Sequence, residues 1–131
     1  MITGTVNGRR EATIPLTLWG PNGATATVVA VIDTGYSGFL ILPTDVVQQL
    51  SLVSKSAGRA TLADGSVRVH DTYAADLEWD GQMLAIPVST IGPDVLAGMR
   101  LLEGHRLTVD VSPGGAVEIV PLSPPAPPPT L

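Results

Sequence analysis

Short apolar stretches, separated by turn dipeptides, run along most of the chain. Residues 14–18 and 67–69 alternate between apolar and polar side chains, which is typical of half-buried strands. Between such stretches lie asparagine–glycine or aspartate–glycine pairs, which favour tight hairpins. These turns are Asn7-Gly8, Asn22-Gly23, Asp64-Gly65 and Asp80-Gly81, with Pro113-Gly114-Gly115 as a fifth. The pattern predicts an all-β meander that closes on itself and contains little helix.

Two short helices are predicted to interrupt the strands. Thr44 follows Pro43 and is a candidate N-cap for a helix over residues 45–50. A second short helix is expected over residues 98–102, ending near Gly104.

One long strand and a tail complete the predicted organisation. Residues 66–79 predict a single strand with a bend or a bulge. Prolines crowd the end of the chain, and they cannot donate the hydrogen bonds of a strand ladder. We therefore expect one domain over residues 1–120 and a flexible Pro-rich tail over residues 121–131.

Composition excludes several classes of function. A chain of 131 residues with 44% hydrophobic and 15% charged residues is typical of one folded domain. Its net charge of −5 argues against nucleic-acid binding, because no basic stripe is present to replace the counterions of phosphates. It has no cysteine, which excludes disulfides, thiolate metal sites and cysteine nucleophiles.

The beginning of the sequence bears on its location. Met1-Ile2-Thr3-Gly4 lacks the basic start and the apolar core of a signal peptide. No apolar run approaches the length that crosses a bilayer. The expectation is a cytoplasmic protein with no membrane partner.

The strongest candidate for chemistry is Asp33, a single carboxylate between two apolar stretches. Residues 28–32 predict a buried strand, and residues 39–42 predict the next one. Thr34-Gly35 predicts a tight turn between them. Ionisable side chains are rarely placed between buried strands without a partner or a function, and a rigid strand end fixes their geometry.

Asp33-Thr34-Gly35, in this setting, resembles the active-site turn of the retropepsin-like (clan AA) aspartic proteases of the bacterial and retroviral single-domain type. Leu96-Ala97-Gly98, followed by residues 99–102, resembles the apolar-apolar-glycine segment and short helix that pack behind that turn in the family. The resemblance covers most of residues 1–120. It implies a closed, all-β acid-protease barrel with one or two short helices.

The sequence contains no second Asp-Thr-Gly. Aspartic proteases hydrolyse amides with two carboxylates that flank a water, so the second must come from another copy of the chain. A twofold axis places Asp33 of each subunit opposite the other. The resemblance therefore implies a homodimeric aspartic endopeptidase that acts on peptide or protein substrates and uses no cofactor and no metal.

The resemblance also implies roles for other positions. Thr34 would join the two active-site turns across the axis, and Gly35 would let the backbone approach Asp33. Residues 59–63 and 66–70 look like a flap hairpin that closes over substrate. The residues implied to bind substrate are Tyr36, Leu62, Ala63, Asp64, Gly65, Ile91, Val95 and Leu96.

Some features depart from the family and leave other interpretations open. Tyr36 stands where retropepsins carry a small residue, and residues 1–6 and 116–120 are candidates for the sheet of terminal strands that clamps viral dimers. The alternative function is a dimeric peptide-binding or scaffolding module of the same fold with weak or no catalysis. A monomeric β domain in which Asp33 is an ordinary turn residue is a third interpretation. His70 and His105 are interpreted as strand or surface residues and not as metal ligands.

Overall fold

The computed structural model describes residues 1–61 and 63–123, apart from the side chains of residues 56–61 and 67–70. Within those ranges the chain forms ten strands and two short helices. The strands are β1 (Ile2–Val6), β2 (Ala12–Trp19), β3 (Thr25–Ile32), β4 (Leu40–Ile41), β5 (Ser54–Thr61), β6 (Val67–Trp79), β7 (Gln82–Ser89), β8 (Leu96–Ala97), β9 (His105–Val109) and β10 (Ala116–Pro121). The helices are α1 (Thr44–Gln49) and α2 (Met99–Leu102).

Six strands form a closed ring in the order β2, β3, β8, β4, β7 and β6. The ring closes where β6 returns to β2, with Leu18 opposite Leu77. This confirms the predicted all-β barrel with short helices. The strands do not pair as a simple meander, however, because β3 pairs with β8 and β4 with β7 in parallel. Parallel neighbours need long connections, and no local turn signal marks them.

The helices begin close to where the sequence predicts. Helix α2 begins one residue later than predicted, at Met99, with Gly98 as its N-cap. For α1, the prediction of Thr44 as the cap is wrong by one residue: Pro43 holds the extended N-cap position and Thr44 is already helical. The Pro43 carbonyl oxygen accepts the N–H groups of Val46 and Val47 at 3.1 and 3.3 Å, so the helix starts without a side-chain cap.

Two of the predicted turns illustrate what a dipeptide does and does not determine. Asp80-Gly81 joins β6 and β7 as a two-residue turn in which both φ angles are positive, at 50° and 80°. This is the geometry that an aspartate–glycine hairpin prefers. By contrast, Asn7-Gly8 begins a longer loop in which Arg10, at φ 62°, takes the left-handed conformation. The Asn7 carboxamide oxygen holds that loop by accepting the N–H groups of Arg9 and Glu11.

The long strand β6 is present as predicted, but the irregularity lies on its partner. The register of the β5–β6 ladder shifts between Ser54 and Ser56, which leaves one extra residue on β5. An extra residue on one strand of a pair increases its local twist. The bulge therefore belongs to β5 and not to β6.

The terminal strands lie side by side in the same chain. Strand β1 pairs with β10, from Ile2 opposite Ile119 to Thr5 opposite Ala116. Strand β1 also meets β2, and β10 also meets β9. The candidate terminal strands thus pair with each other within one chain, and each has neighbours from its own chain on both sides. The outermost strand on this side of the sheet is β9.

The interior of the ring is filled by aliphatic side chains. One continuous apolar cluster links the ring to both helices and to the terminal strands. Its most deeply buried large members are Ile14, Leu18, Leu40, Leu42, Leu50, Leu77, Val88, Val117 and Ile119. The two helices of the described part, six and four residues long, are not long enough to cross a membrane. Leu62 and residues 124–131, which hold most of the predicted tail, lie outside the described residues.

The closure of the ring at Leu77 gives a stability prediction. Leu77→Ala removes a fully buried side chain at the β2–β6 junction, and it should lower the free energy of unfolding by about 2–5 kcal/mol. Met83→Ala, on the neighbouring strand with a side chain 55% exposed, is the control and should change it by about 0.5 kcal/mol or less. Chemical denaturation at one protein concentration measures both. Equal effects of the two substitutions would contradict the role of the junction.

Candidate active site

Asp33 stands directly after β3 and is held by backbone hydrogen bonds on both sides. Its N–H donates to the carbonyl oxygen of Ala97 at 2.9 Å, which continues the parallel β3–β8 pairing by one step. Its own carbonyl oxygen accepts the N–H of Tyr36 at 3.1 Å and closes the turn. The side chain is half-buried. A residue held in this way cannot move without disturbing the barrel.

Gly35 fixes the orientation of the Asp33 carboxylate. The Gly35 N–H donates to Oδ1 of Asp33 at 2.9 Å. A Cβ atom at position 35 would lie 3.2 Å from the same oxygen, which is tighter than ordinary contact. Glycine therefore lets the backbone come close enough to donate to the carboxylate.

The segment after β8 supports the turn from behind. Strand β8 lies between β3 and β4, antiparallel to β4 and parallel to β3. Three successive N–H groups, those of Gly98, Met99 and Arg100, then donate to the carbonyl oxygens of Phe39, Tyr36 and Gly38 at 2.9, 2.8 and 3.1 Å. The two stretches that the sequence analysis singled out are therefore bonded directly to each other.

The ring of Tyr36 occupies space that two glycines leave free. A Cβ atom at Gly38 would meet three atoms of the Tyr36 ring, including its hydroxyl. A Cβ atom at Gly98 would meet the same ring and the carbonyl oxygen of Gly38. The ring thus folds back towards β4 and α2, which explains how a large residue fits directly after the turn.

A shallow depression of about 360 Å³ lies beside Asp33. Thr34 and Leu96, both predicted site residues, line it with Asp33. The other lining residues are Arg10, Glu11, Ala12, Val31 and Ile32.

No pattern in the sequence predicted Arg10 and Glu11 as residues of the candidate site. Their position follows from the β2–β3 register, in which Thr13 lies opposite Val31, so the residues before Thr13 extend towards the end of β3. A correct strand pairing would have predicted them, but the pairing itself is not local information.

Five other predicted substrate residues do not line this depression. Ile91 and Val95 are half-buried in the connection between β7 and β8, and the Val95 carbonyl oxygen accepts the N–H of Val31 at 2.9 Å. Ala63, Asp64 and Gly65 form the exposed turn of the β5–β6 hairpin.

Within that hairpin turn, Gly65 has a φ of 85° and Asp64 holds the backbone. Oδ1 of Asp64 accepts the hydroxyl and the N–H of Ser66 at 2.6 and 2.9 Å. These two bonds, the hydroxyl first, hold the pKa of the Asp64 carboxyl below its ordinary value.

The ring topology, with an aspartate turn packed on a short helix, defines the class of fold: the chain has the retropepsin-like fold of aspartic proteases. It resembles a retropepsin-like aspartic protease from Rickettsia conorii, with a TM-score of 0.56 and 14% identity over 93% of this chain and 92% of that one. It also resembles EIAV protease, solved with the inhibitor HBY-793, with a TM-score of 0.53 and 16% identity over 76% of this chain and 91% of that one.

No protein-family model matches the sequence, and no match is found among curated proteins. At identities of this size, the likeness to the two solved structures concerns the fold.

The contact between Tyr36 and Gly38 gives a prediction that two substitutions test together. Gly38→Ala should destabilise the protein, because the three nearest atoms to the new methyl group all belong to the Tyr36 ring. Tyr36→Ala should relieve most of this loss, with a coupling energy of about 0.5–3 kcal/mol in a double-mutant cycle from chemical denaturation. Gly98→Ala is the matched control, because its methyl group also meets the Gly38 carbonyl oxygen, which Tyr36→Ala leaves in place. Additive effects for Gly38 and Tyr36 would refute the contact.

The Ser66 bonds give a prediction about the Asp64 pKa. Ser66→Ala removes the hydroxyl donor, so the pKa of Asp64 should rise towards its ordinary value, whereas Ser66→Thr should keep it lowered. Because folding lowers this pKa, the contribution of Asp64 to stability is present above the unfolded pKa and is lost as the pH falls through the folded one. Titration of the carboxyl carbon by nuclear magnetic resonance measures it, and an unchanged pKa in Ser66→Ala would count against the hydroxyl as the main cause.

Proposed function

We propose that the protein is a homodimeric aspartic endopeptidase whose active site is formed by Asp33 from each of two subunits. The observation that carries the proposal is the geometry of the Asp33 turn, fixed by β8 and α2 and oriented by the Gly35 N–H, within a retropepsin-like fold. Catalytic carboxylates need this kind of rigid support, because small displacements of a reacting group are costly in rate.

The chemistry requires two carboxylates and a water. One Asp33 carboxylate accepts a proton from the water, whose oxygen attacks the carbonyl carbon of the peptide bond. The protonated Asp33 of the other subunit donates its proton to the carbonyl oxygen. The tetrahedral intermediate then collapses: the C–N bond breaks, and the nitrogen takes the proton that the first Asp33 accepted from the water. One hydroxyl proton of the intermediate returns to the second Asp33, so a carboxylic acid and an amine are released and the pair is restored.

A shared proton also follows from electrostatics. Two carboxylates about 3 Å apart repel by roughly 5 kcal/mol at an effective dielectric constant of about 20. Because this repulsion disfavours two ionised carboxylates side by side, the pair is proposed to share one proton. Activity should therefore be highest at mildly acidic pH and should fall when the pair is doubly ionised or doubly protonated.

Thr34 is proposed to connect the two turns. It is exposed beside Asp33, and among the backbone and side-chain groups that the structure describes its hydroxyl has no hydrogen-bond partner. A hydroxyl that both donates and accepts can bond to the equivalent turn across a twofold axis. In this arrangement Thr34 positions the two Asp33 carboxylates without taking part in proton transfer.

The substrate is proposed to be an extended peptide that passes between the Asp33 pair and the β5–β6 hairpin acting as a flap. Leu96, at the Asp33 depression, and Ile91 and Val95, which precede it in the chain, would contact its side chains. Tyr36, whose ring packs against Gly38 and Gly98, would contribute only the part of its side chain that stays exposed. The turn of Ala63, Asp64 and Gly65 would cover it from the other side, with Leu62 as a fourth flap residue. An extended peptide pairs through its backbone, so alternate side chains decide specificity.

Asp33→Asn tests the mechanism. The variant should fold and dimerise as the wild type does, but hydrolysis should fall by about 10²–10⁴-fold or more, because the amide can neither accept nor donate the required proton. The measurement is mass spectrometry of a diverse peptide library incubated from about pH 4 to about pH 7, the range that brackets a carboxylate pair. Undiminished cleavage by Asp33→Asn would remove Asp33 from the mechanism.

A mixing experiment separates the possible outcomes. Excess Asp33→Asn should suppress wild-type activity, because mixed dimers contain only one functional carboxylate. Activity that survives the excess would place the whole active site in one chain. A peptide that binds tightly and is recovered intact from the wild-type dimer would instead favour the peptide-binding module.

A further inference from the structure

The outer edge of β9 is an open sheet edge. Within the described ranges, 1–61 and 63–123, β9 pairs with β10 on one side and with no strand on the other. At the opposite end of the strand order, the edge strand β5 belongs to the hairpin proposed as the flap. Open edges pair readily with another strand, and a protein either protects them or uses them.

The hydrogen-bond pattern shows which groups of β9 face outward. Next to β9, the Asp110 N–H donates to Ala116 and the Gly104 carbonyl oxygen accepts from Leu122, both at 2.9 Å. Backbone direction alternates along a strand, so Arg106 and Thr108 also face β10. The N–H and C=O groups of His105, Leu107 and Val109 therefore point away from the sheet.

We propose that the outer edge of β9 is the dimer interface, where it pairs antiparallel with β9 of a second copy about a twofold axis at Leu107. This inference rests on the proposed function, which requires a second copy. It predicts a continuous sheet in the order β1, β10, β9 and then the partner's β9, β10 and β1. In that arrangement the terminal strands β1 and β10 keep all their pairings within one chain.

The register of the proposed β9–β9 pairing follows from which backbone groups point outward and from the charge of Arg106. With Leu107 on the axis, His105 lies opposite Val109 of the partner subunit, and all three outward-facing positions of each strand exchange hydrogen bonds. Arg106, the permanent charge of β9, then lies opposite Thr108 of the partner subunit. A shift that centres the axis on Arg106 would place two like charges directly opposite each other, which is unfavourable.

The side chains of β9 are compatible with this pairing. Leu107 and Val109 are half-buried and already pack on the core, so a second copy would cover the surface that they still expose. The imidazole of His105 is held within its own subunit, with Nδ1 3.0 Å from the Glu103 carbonyl oxygen and Nε2 3.4 Å from the Trp79 indole N–H. It therefore leaves the edge clear.

Both ends of β9 connect to segments that flank Asp33. Helix α2, bonded to the Asp33 turn, leads into β9 through Glu103 and Gly104. The turn after β9 bonds to Val6, just before the loop that carries Arg10 to the Asp33 depression. Pairing through β9 therefore fixes the two Asp33 turns relative to one axis.

A second copy is the occupant that fits this edge best. A strand that meets its own copy about a twofold axis is self-complementary. Residues 124–131 of the same chain contain five prolines, which lack the N–H that a ladder requires, so this segment is a poor competitor for the edge.

The first test is Leu107→Pro in the full chain, with Leu107→Ala as the matched control. Proline removes the outward N–H at the centre of the proposed ladder but no β9–β10 hydrogen bond. The dimer dissociation constant from sedimentation equilibrium should rise at least about tenfold for proline, the effect of losing two ordinary hydrogen bonds, and clearly less for alanine. Circular dichroism and thermal unfolding check that the monomer still folds.

A crosslinking measurement keeps the proposal testable if the proline variant does not fold. Because the chain has no cysteine, Leu107→Cys introduces a single thiol, and oxidation should yield a covalent dimer of twice 13.5 kDa. Opposed Cα atoms in a hydrogen-bonded pair are about 5.5 Å apart, within disulfide range. Thr108→Cys and the exposed Val29→Cys are controls that should crosslink much more slowly.

The outcomes distinguish this interface from the proposed function. A wild-type protein that stays monomeric at all concentrations and cleaves no peptide would overturn both. The β9 interface would be overturned, and the function would stand, if the wild type is an active dimer and Leu107→Pro does not weaken dimerisation. Crosslinking that is no faster through residue 107 than through the controls would lead to the same conclusion.

Discussion

The parallel contact between β3 and β8 is the constraint on which the rest of the structure depends. It places two residues, Leu96 and Ala97, between β3 and β4 and so completes a ring that neither neighbouring strand could close alone. Its last hydrogen bond, from the Asp33 N–H to Ala97, is also the first bond of the candidate active site. The carboxylate therefore takes its position from the same ladder that holds the barrel together. A change that loosens this ladder affects stability and site geometry at once.

The space behind the turn is shared between one large residue and two glycines. Tyr36 is too large for a position where the resembled family has a small residue, yet its ring fits because Gly38 and Gly98 lack side chains. Gly98 has a second task, since its N–H donates to the Phe39 carbonyl oxygen and begins the run of bonds to α2. Interiors are close-packed, so a large side chain at one position requires small ones beside it. The three positions form one packing unit, and none of them can be interpreted alone.

The sequence predicts local features well and long-range ones poorly, for a physical reason. Asp80-Gly81 encodes its turn within two residues, because both must take positive φ angles. The apolar stretches around Asp33 likewise predict the strand before the turn, but the prediction that this strand is buried is wrong in part, because Val29 is 65% exposed. The two parallel pairings and the place of Arg10 and Glu11 depend on which strands meet, and that information is spread over the whole chain. The wrong prediction of Thr44 as the N-cap shows that local prediction also has a limit. Pro43 is the N-cap because its extended backbone suits the residue before a helix.

Some hydrogen-bonding groups near the Asp33 turn have no partner within the described part of one chain, and the proposed dimer would use them. Folding satisfies the buried polar Thr13, whose hydroxyl donates to the Thr5 carbonyl oxygen at 2.7 Å. In the described part of the chain, the open groups include the Thr34 hydroxyl, Oδ2 of Asp33 and the outward backbone of β9. Water can satisfy each of them, so none destabilises the monomer. All three lie on or next to elements bonded to the Asp33 turn, and in the proposed dimer the twofold axis would give them partners together. The proposed homodimer would therefore use groups that the folding of one chain leaves open.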